Sequence, residues 1–398
     1  LDEKATLTSG TDMWNAHGID RLGIPGLKVS DGPVGVRGER WVGTTSACTP
    51  CGTALGATWN LELIEQVGVV LGEEATSKSV DIVLAPTVNL HRNPLAGRNF
   101  ECFSEDPFLT GLAATAIING IQSAGVGACV KHFVANDSEY QRHTISSQVS
   151  ERVLRELYLL PFEMVIRDTD VVAVMSGYNR LNGTYCAEHD WLLNQILKQE
   201  WGFDGLVMSD WWGTMSSASA GAGLDLEMPG PAKYLGPQLA RRVADGTLDA
   251  AAIDEMARRI LQVSERLGLL AHSSTATPIR SAERSEDLPT HQAILRSAAE
   301  QAVVLLTNRL IEGQTVLPLD VSSLRHVAVI GPSADTAAVL GGGSAAVNPH
   351  YAVSILQGLQ EALPSHVKVT HEIGVHASHS APPIDSRCMR SAVQPDKP

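Results

Sequence analysis

Asp210 has the setting of a reactive carboxylate. It ends the apolar run Gly205-Leu206-Val207-Met208-Ser209 and is followed by Trp211-Trp212-Gly213. A carboxylate there can act as a nucleophile or can simply cap the next helix. Two adjacent exposed tryptophans are costly unless one stacks on something, which weighs against the capping role. Lys131-His132 end a second apolar run, Gly127–Val130, and fit either a ligand-binding pair or an internally satisfied ion pair. Further polar residues end other runs: Ser30-Asp31-Gly32-Pro33, Asn89 to Arg92, Ser176-Gly177-Tyr178-Asn179 and Glu227-Met228-Pro229-Gly230. Arg98, in Gly97-Arg98-Asn99-Phe100-Glu101, fits a binding site or a structural loop. Asp, Lys, His, Tyr and Trp converging on one mouth describe a pocket for a polar, hydroxyl-rich ligand. The charged groups would bind hydroxyls, and a Trp face would meet the C–H side of a ring.

These residues need elements that bring them together. Residues 20–230 alternate short apolar runs with longer helical patterns, the βαβα signature of a parallel sheet. The runs predict strands at Gly26–Ser30, Ala54–Ala57, Asp81–Ala85, Gly127–Val130, Val171–Met175, Leu206–Met208 and Leu224–Glu227. Helical patterns fill 61–79, 107–124, 151–168 and 190–200, with Ser150 as an N-cap. The expected fold is α/β: a (β/α)8 TIM-type barrel, in which function collects at the C-terminal ends of the strands. Residues 1–270 are assigned to that barrel and the polar stretch 271–289 to a linker. A helix over 290–308 is expected to lead into a second, incomplete α/β domain over 290–374. There His326–Ile330 reads as a buried strand, Ser354–Leu363 as a helix and Val367–Glu372 as another strand. The tail 375–398, rich in Pro, Ser and His, lacks periodicity and is expected to be disordered.

The 398 residues carry 44 Asp plus Glu against 30 Lys plus Arg, a formal charge of −14 that argues against a nucleic-acid partner. No apolar run approaches the roughly 20 residues needed to span a bilayer, so a membrane span is not expected. All seven Trp and all six Phe precede residue 213, which places the aromatic core or aromatic-lined site in the first half. The chain opens on Leu1-Asp2-Glu3-Lys4 without Met, and upstream sequence is expected. Cys48 and Cys51 form a C-x-x-C but have no second pair at ligand spacing, so they read as loop thiols. Asn136-Asp137-Ser138 and Asn182-Gly183-Thr184 are formal glycosylation sequons and leave the compartment open. Five His fall between 350 and 379, without supporting carboxylates at ligand spacing. Gly341-Gly342-Gly343-Ser344 lacks the Gly-Lys-Ser/Thr of a nucleotide loop and reads as an interdomain turn. No metal or other cofactor is expected.

At its candidate site residues the chain resembles glycoside hydrolase family 3 β-glucosidases. The matching stretches are Lys28-Val29-Ser30-Asp31-Gly32-Pro33, Gly97-Arg98-Asn99-Phe100-Glu101, Lys131-His132-Phe133, Met175-Ser176-Gly177-Tyr178-Asn179 and Val207 through Gly213. Gly223-Leu224-Asp225-Leu226-Glu227-Met228-Pro229-Gly230 completes the set, in family order from about residue 1 to 345. The resemblance is nearest to fungal and yeast members with a PA14 domain inserted in their second domain, an α/β sandwich. It implies a retaining β-glucosidase that releases terminal β-D-glucose, with Asp210 as nucleophile. Asp31, Arg98, Lys131, His132 and Tyr178 would hold the non-reducing sugar, and Trp211 would stack near the scissile bond. Lys131 and Arg98 would help to keep Asp210 ionised. The implied ligand is a small β-glucoside or an oligosaccharide.

The departures matter as much. In this family the acid/base Glu comes from the second domain, which here is expected to stop near Glu372. Glu361 and Glu372 lie in the wrong elements to replace it, so the acid/base is expected to be absent. General acid catalysis typically contributes about 10²–10⁴-fold. The chain lacks the Pro-Gly that follows Lys-His-Phe in the β-N-acetylglucosaminidases of the family. A β-xylosidase of the same family, a Schiff-base aldolase acting through Lys131 and a non-catalytic sugar binder are the alternative readings. Asp31 suits a hexose hydroxymethyl group and favours glucose. Oligomeric state is left open.

Overall fold

A computed structural model describes residues 1–41, 43–270 and 280–375 of the chain. The chain divides into two compact units, Leu1–Leu305 with Leu340–His350, and Leu306–Val339 with Tyr351–Pro398.

The first unit is built on five parallel strands, β1 (Val29–Asp31), β2 (Ile82–Leu84), β3 (Gly127–Phe133), β4 (Ala173–Ser176) and β5 (Leu206–Ser209), adjacent in that order. Every residue of these strands is buried. This is why they read as unbroken apolar runs rather than alternating ones. The pleat still sorts them. Val29, Ile82, Leu84, Cys129, Ala173, Met175, Leu206 and Met208 share one core. Val83, Ala128, Val130, Val174 and Val207 belong to another, together with helix residues such as Val67, Ile117 and Phe162. The first set fills the inside of a curled sheet and the second faces the helical layer, the two-sided burial of a TIM-type barrel.

The curl continues beyond β5 through single bridges. Leu226 pairs in parallel with Met208, Glu227 with Ser9, and Asn15 antiparallel with Lys28. Val29 N–H then donates to Trp14 O at 2.8 Å, which brings the hydrogen bonding back to β1. The strand expected over Leu224–Glu227 is thus reduced to bridges. The strand expected over Ala54–Ala57 is instead part of a helix, Gly52–Thr58. A four-residue apolar run does not distinguish a strand from a buried helix turn. Glycine decides here: a Cβ on Gly52 would lie 2.2 Å from Glu101 O, and one on Gly56 would lie 2.3 Å from Phe103 O.

Helices Leu61–Ser77 and Pro107–Ser123 form much of the outer layer, capped by Asn60 and Asp106 respectively. Ser150 caps the helical stretch that begins at Glu151, as expected. Of the linker, residues 271–279 lie outside the described residues. Its remainder is stitched to the first unit by Arg280, which pairs with Asp81, and by Glu283, 3.3 Å from Lys28 Nζ. The next helix, Pro289–Gln301, packs on Leu61–Ser77 and Gly52–Thr58.

In the second unit, β6 (His326–Ile330) pairs in parallel with β7 (Lys368–Glu372), and helix Ile355–Ala362 lies between them in sequence. This is the expected βαβ order. The burial expected of β6 is not found: its residues alternate between exposed and half-buried, and the helix buries none of its residues. The tail from 376 onward lies outside the described residues.

Candidate active site

A cavity of about 510 Å³ opens where the strands of the first unit end. Asp31 is the last residue of β1, Lys131 and His132 lie just before the end of β3, Tyr178 follows β4 by two residues, and Asp210 directly follows β5. These five, with Arg98 and Trp211, line the cavity. The structure therefore gathers all seven sequence candidates around one space.

Asp210 is 7% exposed. Its Oδ1 accepts a hydrogen bond from its neighbour Trp211 N–H at 2.7 Å. Its Oδ2 is buried and lies 3.5 Å from His132 Nε2, at the outer edge of hydrogen-bond range, and the Tyr178 hydroxyl hydrogen-bonds the carboxylate. Burial pushes the Asp210 pKa upward, while Arg98, Lys131, the Tyr178 hydroxyl and Trp211 N–H pull it down. The net direction is up, so the cations expected to keep the group ionised only partly offset its desolvation. His132 is driven the other way: burial first, then Arg98, Lys131 and Arg142, hold its pKa well below the usual range. The imidazole is therefore neutral.

The remaining groups are fixed by partners, several of which the sequence did not single out. Asp31 is ion-paired with Arg37 and sits 3.7 Å from Lys131 Nζ. The Arg37 guanidinium lies 4.0 Å from the Trp41 ring centre and 4.8 Å from that of Trp14. Trp14 in turn packs on Trp211 at 5.7 Å between ring centres, tilted by 41°. Trp211 Nε1–H donates to Met13 O at 3.0 Å. It is thus buried and satisfied, while Trp212 stays exposed on the cavity wall. Arg98 Nε meets Glu101 Oε1 at 2.8 Å and Thr87 Oγ1 donates to Glu101 Oε2 at 3.1 Å. Burial alone would raise the Glu101 pKa, but Arg98, Lys131 and the Thr87 hydroxyl together outweigh it and the carboxylate is held below its ordinary range. Arg142 lies 4.5 Å from the Tyr178 ring centre, and the His143 ring 4.4 Å from it.

Gly341-Gly342-Gly343-Ser344, expected to be an interdomain turn, lines the cavity within the first unit. Ser344 O accepts from Arg37 at 3.0 Å, and its Oγ lies 3.4 Å from Arg98. A Cβ on Gly341 would lie 2.4 Å from the Phe100 ring, so the close approach requires glycine. Glu227, counted among the strand ends, faces elsewhere: its carboxylate accepts from the N–H groups of Lys233, Tyr234 and Leu235 at 2.6–2.9 Å and ties down that loop. Cys48 and Cys51 are free thiols, and burial pushes the Cys48 pKa up to about 11. Among the described residues no group of three or more His, Cys, Asp or Glu is placed to hold a metal ion. His376 and His379 lie outside the described residues. No described helix is long and apolar enough to cross a membrane.

With the geometry in place, comparison with known proteins is informative. The glycosyl hydrolase family 3 N terminal domain matches residues 4–263, and the corresponding C-terminal domain matches residues 303–394. A beta-glucosidase of Rhizobium radiobacter is 50% identical over 377 residues, covering 94% of this chain and 45% of that protein. A probable beta-glucosidase I of Neosartorya fischeri is 43% identical over 387 residues, 96% of this chain and 44% of that one. Among solved structures, a beta-glucosidase from Kluyveromyces marxianus in complex with glucose superposes with a TM-score of 0.89 at 36% identity. That match covers 100% of this chain and 47% of the other. Beta-glucosidase 3B from Thermotoga neapolitana in complex with glucose gives 0.81 at 36% identity, covering 93% and 53%. The chain spans about half the length of the curated relatives it matches.

Proposed function

The chain belongs to glycosyl hydrolase family 3, and on that premise we propose that its first unit carries the glucose-binding and nucleophilic half of a retaining β-glucosidase site. One observation carries the reading. Asp210 lines a cavity edged by Lys131, Arg98, Tyr178 and Trp211, with one carboxylate oxygen held by Trp211 N–H and the other 3.5 Å from His132 Nε2. In the first step that oxygen attacks the anomeric carbon and the C1–O bond breaks with its electron pair leaving on the aglycone oxygen. In the second, water attacks C1, the C1–O bond to Asp210 breaks with its electron pair returning to the carboxylate, and the proton lost by the water passes to solvent and neutralises the departed aglycone anion. Lys131 and Arg98 supply donors to sugar hydroxyls and positive potential to the developing carboxylate chemistry. Asp31, held by Arg37, supplies an acceptor. Trp211, braced by Trp14, supplies the flat face. The glucose-bound relatives support glucose as the sugar.

The other carboxylates on the cavity wall are each matched with an arginine: Asp31 with Arg37, Glu101 with Arg98, Glu139 with Arg142. None of them is placed as a free acid for the leaving group, so aglycones that depart without protonation suit this chain best. The reading is tested with a 2-deoxy-2-fluoro-β-glucoside bearing a good leaving group, followed by peptide mass spectrometry. A fluoroglucosyl adduct on the Asp210 peptide is expected. An adduct on any other residue sinks the assignment, and so does sugar binding with no adduct at all.

A further inference from the structure

Asn89 and His132 are buried at 5% and 2% exposure and are joined by three contacts. Asn89 Nδ2 donates to His132 O at 2.9 Å, His132 N–H donates to Asn89 Oδ1 at 3.0 Å, and His132 Nδ1 lies 3.2 Å from the same Oδ1. The first two contacts leave no freedom in the amide. A backbone carbonyl only accepts and a backbone N–H only donates, so Oδ1 must be the atom beside the ring. An amide oxygen is an acceptor, and the ring nitrogen facing it must therefore carry a proton. Because the imidazole is neutral, Nε2 is left with a bare lone pair. That lone pair points toward the cavity, 3.5 Å from Asp210 Oδ2. With Asp210 ionised, two acceptors then face one another with no hydrogen between them. The opposite tautomer would set two lone pairs together at the shorter distance, 3.2 Å.

We propose that Asn89 is a positioning residue that fixes His132 as the Nδ1–H tautomer, so that His132 accepts a hydrogen bond from a ligand hydroxyl and cannot donate one. The part of this that concerns the ligand rests on the sugar-binding reading; the tautomer does not. It divides the labour within the cavity. Lys131 and Arg98 can only donate, whereas His132, Asp31 and Asp210 accept. A sugar hydroxyl, being both donor and acceptor, satisfies the two groups at once. A fluorine in its place accepts weakly and donates nothing.

The test is nitrogen NMR on the full chain with 15N-labelled histidine, with His132→Gln used to identify the His132 signals. Nδ1 should appear protonated and Nε2 bare. The reverse pattern overturns the proposal. Asn89→Ala should mix the tautomers and weaken glucose binding by roughly two- to tenfold, the effect of one lost neutral hydrogen bond. An unchanged tautomer in that variant removes the positioning role. In a series of deoxy and fluoro-deoxy glucoses, one position should lose affinity equally with either substituent in the parent chain. Fluorine tolerated at every position would make His132 a donor and overturn the assignment. Failure to label Asp210 would leave the tautomer result standing, and a wrong tautomer would leave the nucleophile assignment standing.

Discussion

The two units follow the same local recipe and end in opposite states. In each, parallel strands have helices between them in sequence, and apolar runs mark most of them, Ala54–Ala57 and Leu224–Glu227 being the exceptions. The five strands of the first unit are covered on both faces, and polar groups appear only where the strands end. In the second unit β6 and β7 pair over five residues with full parallel register, yet Ile330 is 74% exposed and Ile355, on the intervening helix, 64%. Among the described residues the two-stranded pair has two faces and one helix to cover them, which is too little to exclude water. Forming the hydrogen-bond ladder and burying side chains are thus separate achievements. Among the described residues, the polar cavity with desolvated charges lies in the unit that does both.

The largest expected effect separates the units by chemistry. Asp210→Asn should abolish covalent labelling, a loss of at least about 10³-fold given the reliance on one nucleophile, while Glu361→Gln and Glu372→Gln should leave labelling unchanged. Labelling lost in either Glu variant would break the comparison. The next contrast is in stability. Phe133→Ala, at a fully buried site that packs on Phe162 and Trp201, should cost about 3–5 kcal/mol. Ile330→Ala should stay within about 0.5 kcal/mol. Urea unfolding followed by tryptophan fluorescence measures the first cleanly, because every Trp lies between residues 14 and 212.

Smaller effects sharpen the same point through pH. Burial raises the Asp210 pKa against the pull of Arg98 and Lys131. Its reactive ionised form is present above that raised value, so the labelling rate should fall as pH drops through a point above the ordinary 3.8. Removing one cation with Lys131→Met should move that acid limb higher still; a limb that moves lower would contradict the balance of terms. The least effect concerns helix Pro289–Gln301. Glu74, then Glu73, hold the His291 pKa above 6.5, and the closer contact is to Glu73 at 2.6 Å, against 3.7 Å to Glu74. A raised pKa contributes stability that is complete below 6.5 and is lost as pH rises through the folded value. Hydrogen exchange of this helix should therefore speed up across that window, and Glu73→Gln should reduce the change.

Much of the site was legible because one rule governs it. Asp31, Lys131, His132, Tyr178 and Asp210 each follow an apolar run, and a parallel sheet collects such positions at one end. What was not legible depends on contacts distant in sequence. Arg37 carries no signal of its own, and its role follows from meeting Asp31, Trp14, Trp41 and Ser344. The glycine-rich turn at 341–344 looks generic until Phe100 and Arg98 are seen against it. Asn89 was visible as a strand-end residue, but its grip on His132 was not. Ala54–Ala57 misled because a short apolar run suits a buried helix as well as a strand.

By itself, the sequence determined most of the strands and helices, the acidic balance, the family and the residue types at the strand ends. These are local or additive properties, set by side-chain period and composition. The tertiary structure alone decided which strands became buried, that Asp210 Oδ2 comes to lie beside the His132 ring, and that the cations near Asp210 are outweighed by desolvation. Those quantities depend on the distance and dielectric between groups far apart in the chain, and no spacing along the sequence encodes either.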